Sequence, residues 1–316
     1  MTGKRIHLDQ AKRWLVRNGR PLEVMRFRYW FEEGSTEDVM DVLTGYQNED
    51  GGFGHGIEPD FTCPMSSAIG SWTAARMLFE LKTPAAHPVI RKLMDYLIAT
   101  QNRATGMWQT TFPEISHFPH APWWSWHEQA QEEWQFNPGV ELAAYCLYYG
   151  GGDEAATEAG LLTMRKALKR LMTVNDMDHH ELSNFQYALH ILQDQFDAVE
   201  ADTGFSLRRC EDQLHSLLYQ AVETDPLKWG RGYQALPLDV VHSWKDVRNI
   251  GFEDGLVEKQ IQYWKTTRER DGAWPISWEW GQYPEAFAIA KRQWQGILIV
   301  ERFKKLKQLG MIQEET

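Results

Sequence analysis

Apolar residues recur at intervals of three and four along much of the chain. Leu161, Met164, Leu168 and Leu171 form one stripe, Leu214, Leu217, Leu218 and Ala221 a second, and Phe287, Ala290, Trp294 and Ile297 a third. The helical period puts each set on a single face, so each predicts a helix with one buried side. Strand-like alternation is nearly absent. Clusters of Gly, Asn, Asp and Ser interrupt the stripes at Asn18-Gly19, Glu33-Gly34-Ser35, Gly150-Gly151-Gly152-Asp153 and Gly310, at spacings that suit helices of ordinary length. The pattern predicts an all-α fold of roughly a dozen helices joined as antiparallel hairpins. No Ser/Gly-rich or Pro-rich linker interrupts it, and the polar stretch from Asp194 to Gly204 is too short for a boundary, so a single domain over residues 1–316 is expected.

A turn recurs inside this pattern. Asp50-Gly51-Gly52-Phe53, Thr105-Gly106-Met107-Trp108 and Asp271-Gly272-Ala273-Trp274 share the order Asp or Thr, Gly, any residue, aromatic. Each follows an apolar helical stretch, and two of those stretches end in Gln-Asn, at Gln47-Asn48 and Gln101-Asn102. Glycine can take the left-handed conformation that closes a helix, Asp or Thr can bond the freed backbone, and the aromatic can fold back as a plug. A loop, a proline and a second helix come next: Pro64 before a helix over 65–81, Pro138 before 140–149, and Pro284 before 285–309. Lys228-Trp229-Gly230 before Pro237 reads as a degraded copy, and the stretch from Asn175 to Ser183 as another without its turn. Units that bury a face only against their neighbours must stack, and a stack closed on itself leaves no exposed end. The expectation is a closed α/α toroid of roughly six helical hairpins.

The stretch from Gln47 to Gly54, followed by Ser66-Ser67-Ala68 opening a helix, resembles the QW-type repeat of terpenoid cyclases and protein prenyltransferase β subunits. Gln101 to Trp108 and Asp271 to Trp274 are similar but looser. The resemblance implies a toroid of six outer and six inner helices around a cavity, of the kind found in short prenyltransferase-like members. It implies fold more than chemistry. The sequence has no D-x-D-D and no adjacent Asp pair, so neither the protonating motif nor the metal-binding D-D-x-x-D of those families is present. Asp60-Phe61-Thr62-Cys63 is one residue too long for the zinc-binding D-x-C, and Cys210-Glu211-Asp212 runs in the reverse order. No metal or cofactor is specified by these motifs.

Composition narrows the partner. The formal charge is −11, with 44 acidic against 33 basic side chains, which opposes a general nucleic-acid binder. Three scattered cysteines, Cys63, Cys146 and Cys210, suggest reduced thiols, and no uncharged apolar stretch is long enough to span a bilayer, so a cytoplasmic protein is expected. Fifteen tryptophans stand out, ten of them packed into 108–134 and 264–294. Indoles bury large area and make flat walls for apolar, cationic or sugar ligands. A small-molecule ligand in an aromatic-lined central cavity is the expected partner.

Three loops carry candidate chemistry. In the first, His55, Glu58 and Asp60 surround Pro59 just ahead of a helix; they suit acid/base or metal work, and either carboxylate equally suits a helix cap. The long segment between Trp108 and Pro138 holds His117, His120, Trp123, Trp124 and Trp126, more than a connection requires. The third, before Pro284, holds Trp278, Trp280 and Tyr283, which either face a ligand or seal the ring where the last hairpin meets the first. His179, His180 and His190 read as packed or surface side chains, Asp239 and His242 as a weak pair, and Lys304, Lys305 and Lys307 as a helix C-terminus without partners. Two functions fit these parts, apart from a binding scaffold without catalysis. One is a protein acting on an isoprenoid-like apolar ligand, with Trp and Phe walls to stabilise cationic carbon. The other is a carbohydrate-active glycosidase or lyase, since α/α toroids host those as well.

Overall fold

The computed structural model describes residues 8–312. Among them are fifteen α-helices and no β-strand, which bears out the all-α expectation. In chain order they are α1 (Leu8–Asn18), α2 (Pro21–Phe31), α3 (Thr36–Leu43), α4 (Ala68–Glu80), α5 (Pro88–Thr100), α6 (Ala130–Trp134), α7 (Gly139–Gly150), α8 (Glu154–Leu171), α9 (His179–Leu192), α10 (Asp197–Thr203), α11 (Leu207–Ala221), α12 (Pro237–Val240), α13 (Trp244–Ile250), α14 (Leu256–Thr267) and α15 (Pro284–Gln308). They gather into two compact units. One is the continuous stretch 46–221; the other joins the residues up to Gly45 with those from Val222 onward.

The continuous unit is a two-layer helical array. In one layer α7 packs between α4 and α9, and in the other α8 packs between α5 and α11. The three helices of the first layer run parallel. Trp72 near the start of α4 bonds Glu141 near the start of α7, whereas Phe79 at the end of α4 meets Tyr148 at the end of α7 (5.1 Å) and His190 at the end of α9 (6.3 Å). The middle helix has no solvent face over Gly139–Cys146, where every residue is buried. Its sequence is accordingly apolar all round except at Glu141.

The recurrent turn has the physical form its sequence suggests. Trp108 Nε1 donates to the Leu97 carbonyl (2.8 Å) and Trp274 Nε1 to the Trp264 carbonyl (2.7 Å), so each indole folds back onto a carbonyl in the last turn of its own helix, one that also accepts the N–H of the capping residue, Gln101 or Arg268. In the degraded copy Trp229 Nε1 donates to the Glu223 carbonyl (2.9 Å), two residues past the end of α11. The Phe53 ring has no N–H to give, and this residue is held by its backbone, whose carbonyl accepts from Ser67 N and whose N–H donates to Ser71 Oγ. Gly51 shows why glycine is needed: its φ is +92°, and a Cβ there would sit 2.1 Å from the Lys92 carbonyl oxygen.

Two helix starts differ from the sequence expectation. α4 begins at Ala68 instead of residue 65 because the Ser67 hydroxyl accepts from Gly70 N (2.9 Å) and caps it. α7 begins at Gly139, with Pro138 as the capping residue.

In the discontinuous unit, α15 packs against α1 and α2, and α12 against α14. Trp14 Nε1 donates to Asp271 (3.1 Å) and Gln10 donates to the Arg270 carbonyl, while Arg26 pairs with Glu301 (2.6 Å). The first helices of the chain are thereby bonded to its last repeat. No helix among the described residues is long and apolar enough to cross a membrane. All three cysteines are free and buried, as reduced thiols would be.

Candidate functional site

In the continuous unit, parallel helices bring three polar starts together. Glu141 is wholly buried in the first turn of α7. Its carboxylate accepts from Arg76 Nε (2.8 Å) and Nη2 (2.7 Å), from Trp72 Nε1 (2.7 Å) and from the Tyr145 hydroxyl (2.8 Å). A helix N-terminus favours the negative charge, and four donors replace the water it has lost. The Arg76 guanidinium also lies over two rings, 4.4 Å from the Trp72 centroid and 3.8 Å from that of Tyr187 on α9. Burial alone would weaken its proton affinity, but the Glu141 carboxylate more than restores it and holds the arginine charged. The same burial, with Glu141 beside it, pushes the Tyr145 hydroxyl far above the ordinary phenol range.

Arg76 differs from Glu141 in one respect that matters for binding: its side chain keeps 23% of its exposure. It is therefore the member of the pair that a ligand can touch. Three more polar side chains stand at the start of α9. Asp178 caps the helix through His180 N (2.8 Å), and its other oxygen lies 3.6 Å from His179 Nδ1. The His179 and His180 rings lie 4.0 Å apart. His180 is reached by water yet ringed by protein; loss of hydration, together with His179 and Arg76, lowers its pKa to about 4 against the pull of Asp178. Asp178 is held down at about 2: burial opposes this, but the hydrogen bond from His179 and the two imidazoles prevail. At neutral pH the set thus presents a guanidinium, a carboxylate and an uncharged imidazole. The ligand atoms of Asp178, His179 and His180 lie within 4.8 Å of one another, a spacing that suits a metal ion. The positive end of α9 and the Arg76 charge both oppose a cation at that point.

The loops singled out in the sequence are placed as follows. Glu58 and Asp60 are buried, at 7% and 3% exposure. His55 is at the surface with a φ of +55°, its Nε2 bonded to Asn48 Oδ1 (2.8 Å). Neither carboxylate caps α4, since Ser67 does. The first loop is joined to the second: Ala121 N donates to the Asp60 carbonyl (2.9 Å), Phe61 pairs with His120, and Thr62 donates to the Pro119 carbonyl. Phe61 also meets the edges of Phe112 and Trp124. Within the second loop His120 is buried between the Phe118 carbonyl (2.7 Å) and Ser125 Oγ (3.2 Å), and Trp124 is buried and stacked on Trp134 (4.5 Å). His117 is exposed, as are Trp123 and Trp126 at 37% and 40%. This loop is thus fastened through alternate residues, with its remaining indoles turned to water.

The third loop belongs to the discontinuous unit. Trp280 is buried against Phe287 (5.5 Å), Trp278 is half-buried against Trp294 (5.2 Å) and Tyr233 (5.8 Å), and Tyr283 is 40% exposed. The lysines of α15, expected to lack partners, have them. Lys304 pairs with Glu301 (2.8 Å), Lys305 reaches the Val241 carbonyl and His242 Nδ1 (3.2 Å), and Lys307 donates to the Trp30 carbonyl (2.9 Å). Side chains of that length find acceptors on neighbouring segments that sequence spacing does not reveal.

No protein-family model, curated protein or solved structure matches the chain. The site therefore rests on its own geometry. Trp72, Arg76, Glu141, Tyr145 and Tyr187 were not singled out by sequence reasoning. The signal was a charge inside a largely apolar helix: Arg76 in AIGSWTAARMLFE, where the other charge is Glu80 at the very end, and Glu141, the single charge in GVELAAYCLYYG. Such a charge must find a partner when buried.

Proposed function

We propose that the continuous unit binds a polyhydroxylated, sugar-like ring where α4, α7 and α9 begin. The observation that carries this is the Arg76 guanidinium, fixed on both oxygens of a buried carboxylate and bordered by Trp72, Tyr187 and an uncharged His180. Aromatic walls suit an isoprenoid chain or the C–H face of a sugar equally. The guanidinium, the imidazole and Asp178 separate the two. A hydrocarbon would desolvate these groups and return no hydrogen bond, whereas vicinal hydroxyls would pair with them. Saturation-transfer NMR with a panel of mono- and oligosaccharides, run beside isoprenoid alcohols, tests the choice. Transfer to sugars in the wild type, lost in Tyr187→Ala and in His180→Ala, is expected. Transfer to the isoprenoids alone would sink the sugar reading.

We further propose the closed α/α toroid as the architecture that carries this site. Three features support it: the helix, Gly-aromatic turn, loop, helix unit recurs; the continuous unit alternates two layers; and α1 and α2 are bonded to the last repeat. Small-angle scattering tests it. A ring of this length should give a radius of gyration of about 20 Å, close to the compact-domain scaling. An open solenoid would scatter as a clearly more extended particle.

A further inference from the structure

The start of α9 gathers more ligating atoms than a helix cap requires. Asp178 precedes the helix with φ −59° and ψ 140°, so its side chain folds back over the first turn. One of its oxygens accepts from His180 N (2.8 Å), and the other is turned toward His179 Nδ1, 3.6 Å away. His179 and His180 are the first two residues of the helix. Neighbours in a helix normally diverge, yet these two rings lie 4.0 Å apart with their planes 36° from each other. One carboxylate oxygen and one nitrogen from each imidazole thereby come within 4.8 Å of one another, the one such set of three His, Cys, Asp or Glu side chains among the described residues.

A tetrahedral ion bonded to nitrogen and oxygen holds its ligand atoms about 3.4 Å apart. The 3.6 Å between Asp178 and His179 is close to that spacing and long for a hydrogen bond. The widest separation in the set must close by about 1.4 Å at most, and Asp178, with 61% of its side-chain exposure, is free to turn. Two positive features oppose a cation here, and each is already met. Arg76 lies on both oxygens of Glu141, and the start of α9 is capped by Asp178. Arg170, from α8, is likewise held by both oxygens of Glu181. Two arginines against three carboxylates leave one negative charge, and exposed Asp176, two residues before Asp178, adds to it. What opposition remains weighs most on calcium and magnesium, which want six or more oxygens and are held by charge. An ion bonded through imidazole nitrogen draws its affinity from the two rings.

We propose that Asp178, His179 and His180 form a site for one divalent transition-metal ion of the zinc class, with a carboxylate oxygen and two imidazole nitrogens as its protein ligands. Three ligands leave a tetrahedral ion one open position, which takes a water or hydroxyl oxygen. Calcium and magnesium are not held. The inference stands on these three side chains and does not rest on the sugar reading, although the two share His180.

The test is isothermal calorimetry at pH 7, with zinc chloride titrated into tag-free protein stripped by a chelator. One ion per chain is expected, with a Kd below ~50 µM. Zinc should also raise the melting temperature in a saturable way, and magnesium at the same concentration should not. His179→Gln, His180→Gln and Asp178→Asn should each weaken zinc binding at least about tenfold. Asn is itself a good helix cap, so Asp178→Asn removes a charged ligand and keeps the start of α9, which circular dichroism of the metal-free variant checks. In isotope-labelled wild type, zinc should move the imidazole signals of His179 and His180 ahead of any other histidine, a readout that needs no variant to fold. Four outcomes would overturn the site: no binding of that stoichiometry and strength, a smaller loss in any folded variant, first movement at another histidine, or magnesium binding as tightly as zinc. Sugar transfer without zinc binding would remove this inference alone, and zinc binding without sugar transfer would remove only the sugar reading.

Discussion

Replacing Glu141 by glutamine changes no volume and removes one charge, so the cost measures how the Arg76 site is held. The carboxylate accepts four hydrogen bonds at 2.7 to 2.8 Å and has no exposed surface. An amide keeps one accepting oxygen, enough for two of the four donors; its NH2 group then faces the other two. Each lost bond to a charged group is worth about 1.5–3 kcal/mol, and breaking a buried pair about 3–5 kcal/mol. Arg76 retains 23% side-chain exposure and can recover some hydration. The expected destabilisation of Glu141→Gln is therefore ~3–4 kcal/mol, near the lower end of that range. Arg76→Met should cost more, ~4–5 kcal/mol, because it strands a carboxylate that water cannot reach. In the double variant no charge is left to strand, so its cost should fall short of the sum by at least ~2 kcal/mol. Urea unfolding at pH 7, followed by far-UV circular dichroism, measures all three. Additive single effects, or a loss under ~1 kcal/mol for Glu141→Gln, would refute the claim that this pair sets the geometry of the site.

Three further expectations follow from local geometry. The His180 imidazole should titrate near 4 by NMR and move upward in Arg76→Met, since the guanidinium helps to depress it. Its folded value lies below the ordinary 6.5, so the folded state binds fewer protons: the stabilisation is full above about 6.5 and is lost as the pH falls toward 4. His180→Asn should flatten that stretch of the stability curve, with Asp178 acting only lower, between about 3.8 and 2. Gly51→Ala forces a Cβ to 2.1 Å from a backbone oxygen at a φ of +92° and should lower stability by ~2–4 kcal/mol on thermal melting; Gly56→Ala, with its nearest atom at 3.6 Å, should cost no more than about 1. Trp274→Phe loses the bond to the Trp264 carbonyl, about 1 kcal/mol, together with part of the buried ring volume, ~2 kcal/mol in all, whereas Trp274→Ala leaves a larger core cavity worth ~3–5 kcal/mol.

The helices and the recurrent turns were legible in the sequence because their causes are local. A stripe such as Leu161, Met164, Leu168 and Leu171 needs only a 3.6-residue period, and all but Leu161 are buried on α8. The aromatic of the turn closes on a carbonyl ten or eleven residues back, at Trp274 and Trp108, so its reach is visible in one window. The Arg76–Glu141 pair spans sixty-five residues and follows no period. It arises because α4 and α7 lie side by side and parallel, a fact of stacking that no window contains. The same applies to the first two loops. Their residues were each visible as unusual, but the link between Asp60 and Ala121 depends on the array beneath them. His180 was read as bland for a related reason: the loss of hydration that lowers its pKa most, with a smaller push from Arg76 on another helix, comes from stacking and not from its own stretch of sequence.

The exposure of each carboxylate decides what chemistry the α4, α7 and α9 site can perform. Hydrolysis of a glycosidic bond needs two carboxyl groups flanking the bond, both within reach of the substrate. Glu141 is sealed, with both oxygens committed to donors, so it positions Arg76 and cannot itself touch a ligand. Glu58 and Asp60, at 7% and 3% exposure, offer little more surface. Asp178 is exposed, but one of its oxygens caps α9 and its pKa near 2 leaves it no proton to donate at neutral pH. The set therefore suits holding a ring, or taking a proton from it through the uncharged His180, and lacks the acid that glycoside cleavage requires. Chromogenic aryl glycosides should accordingly bind, as seen in saturation transfer, without release of the phenol over hours. Steady release that disappears in Asp178→Asn would show that this carboxyl is protonated in the working complex and would overturn the assignment of a holding site.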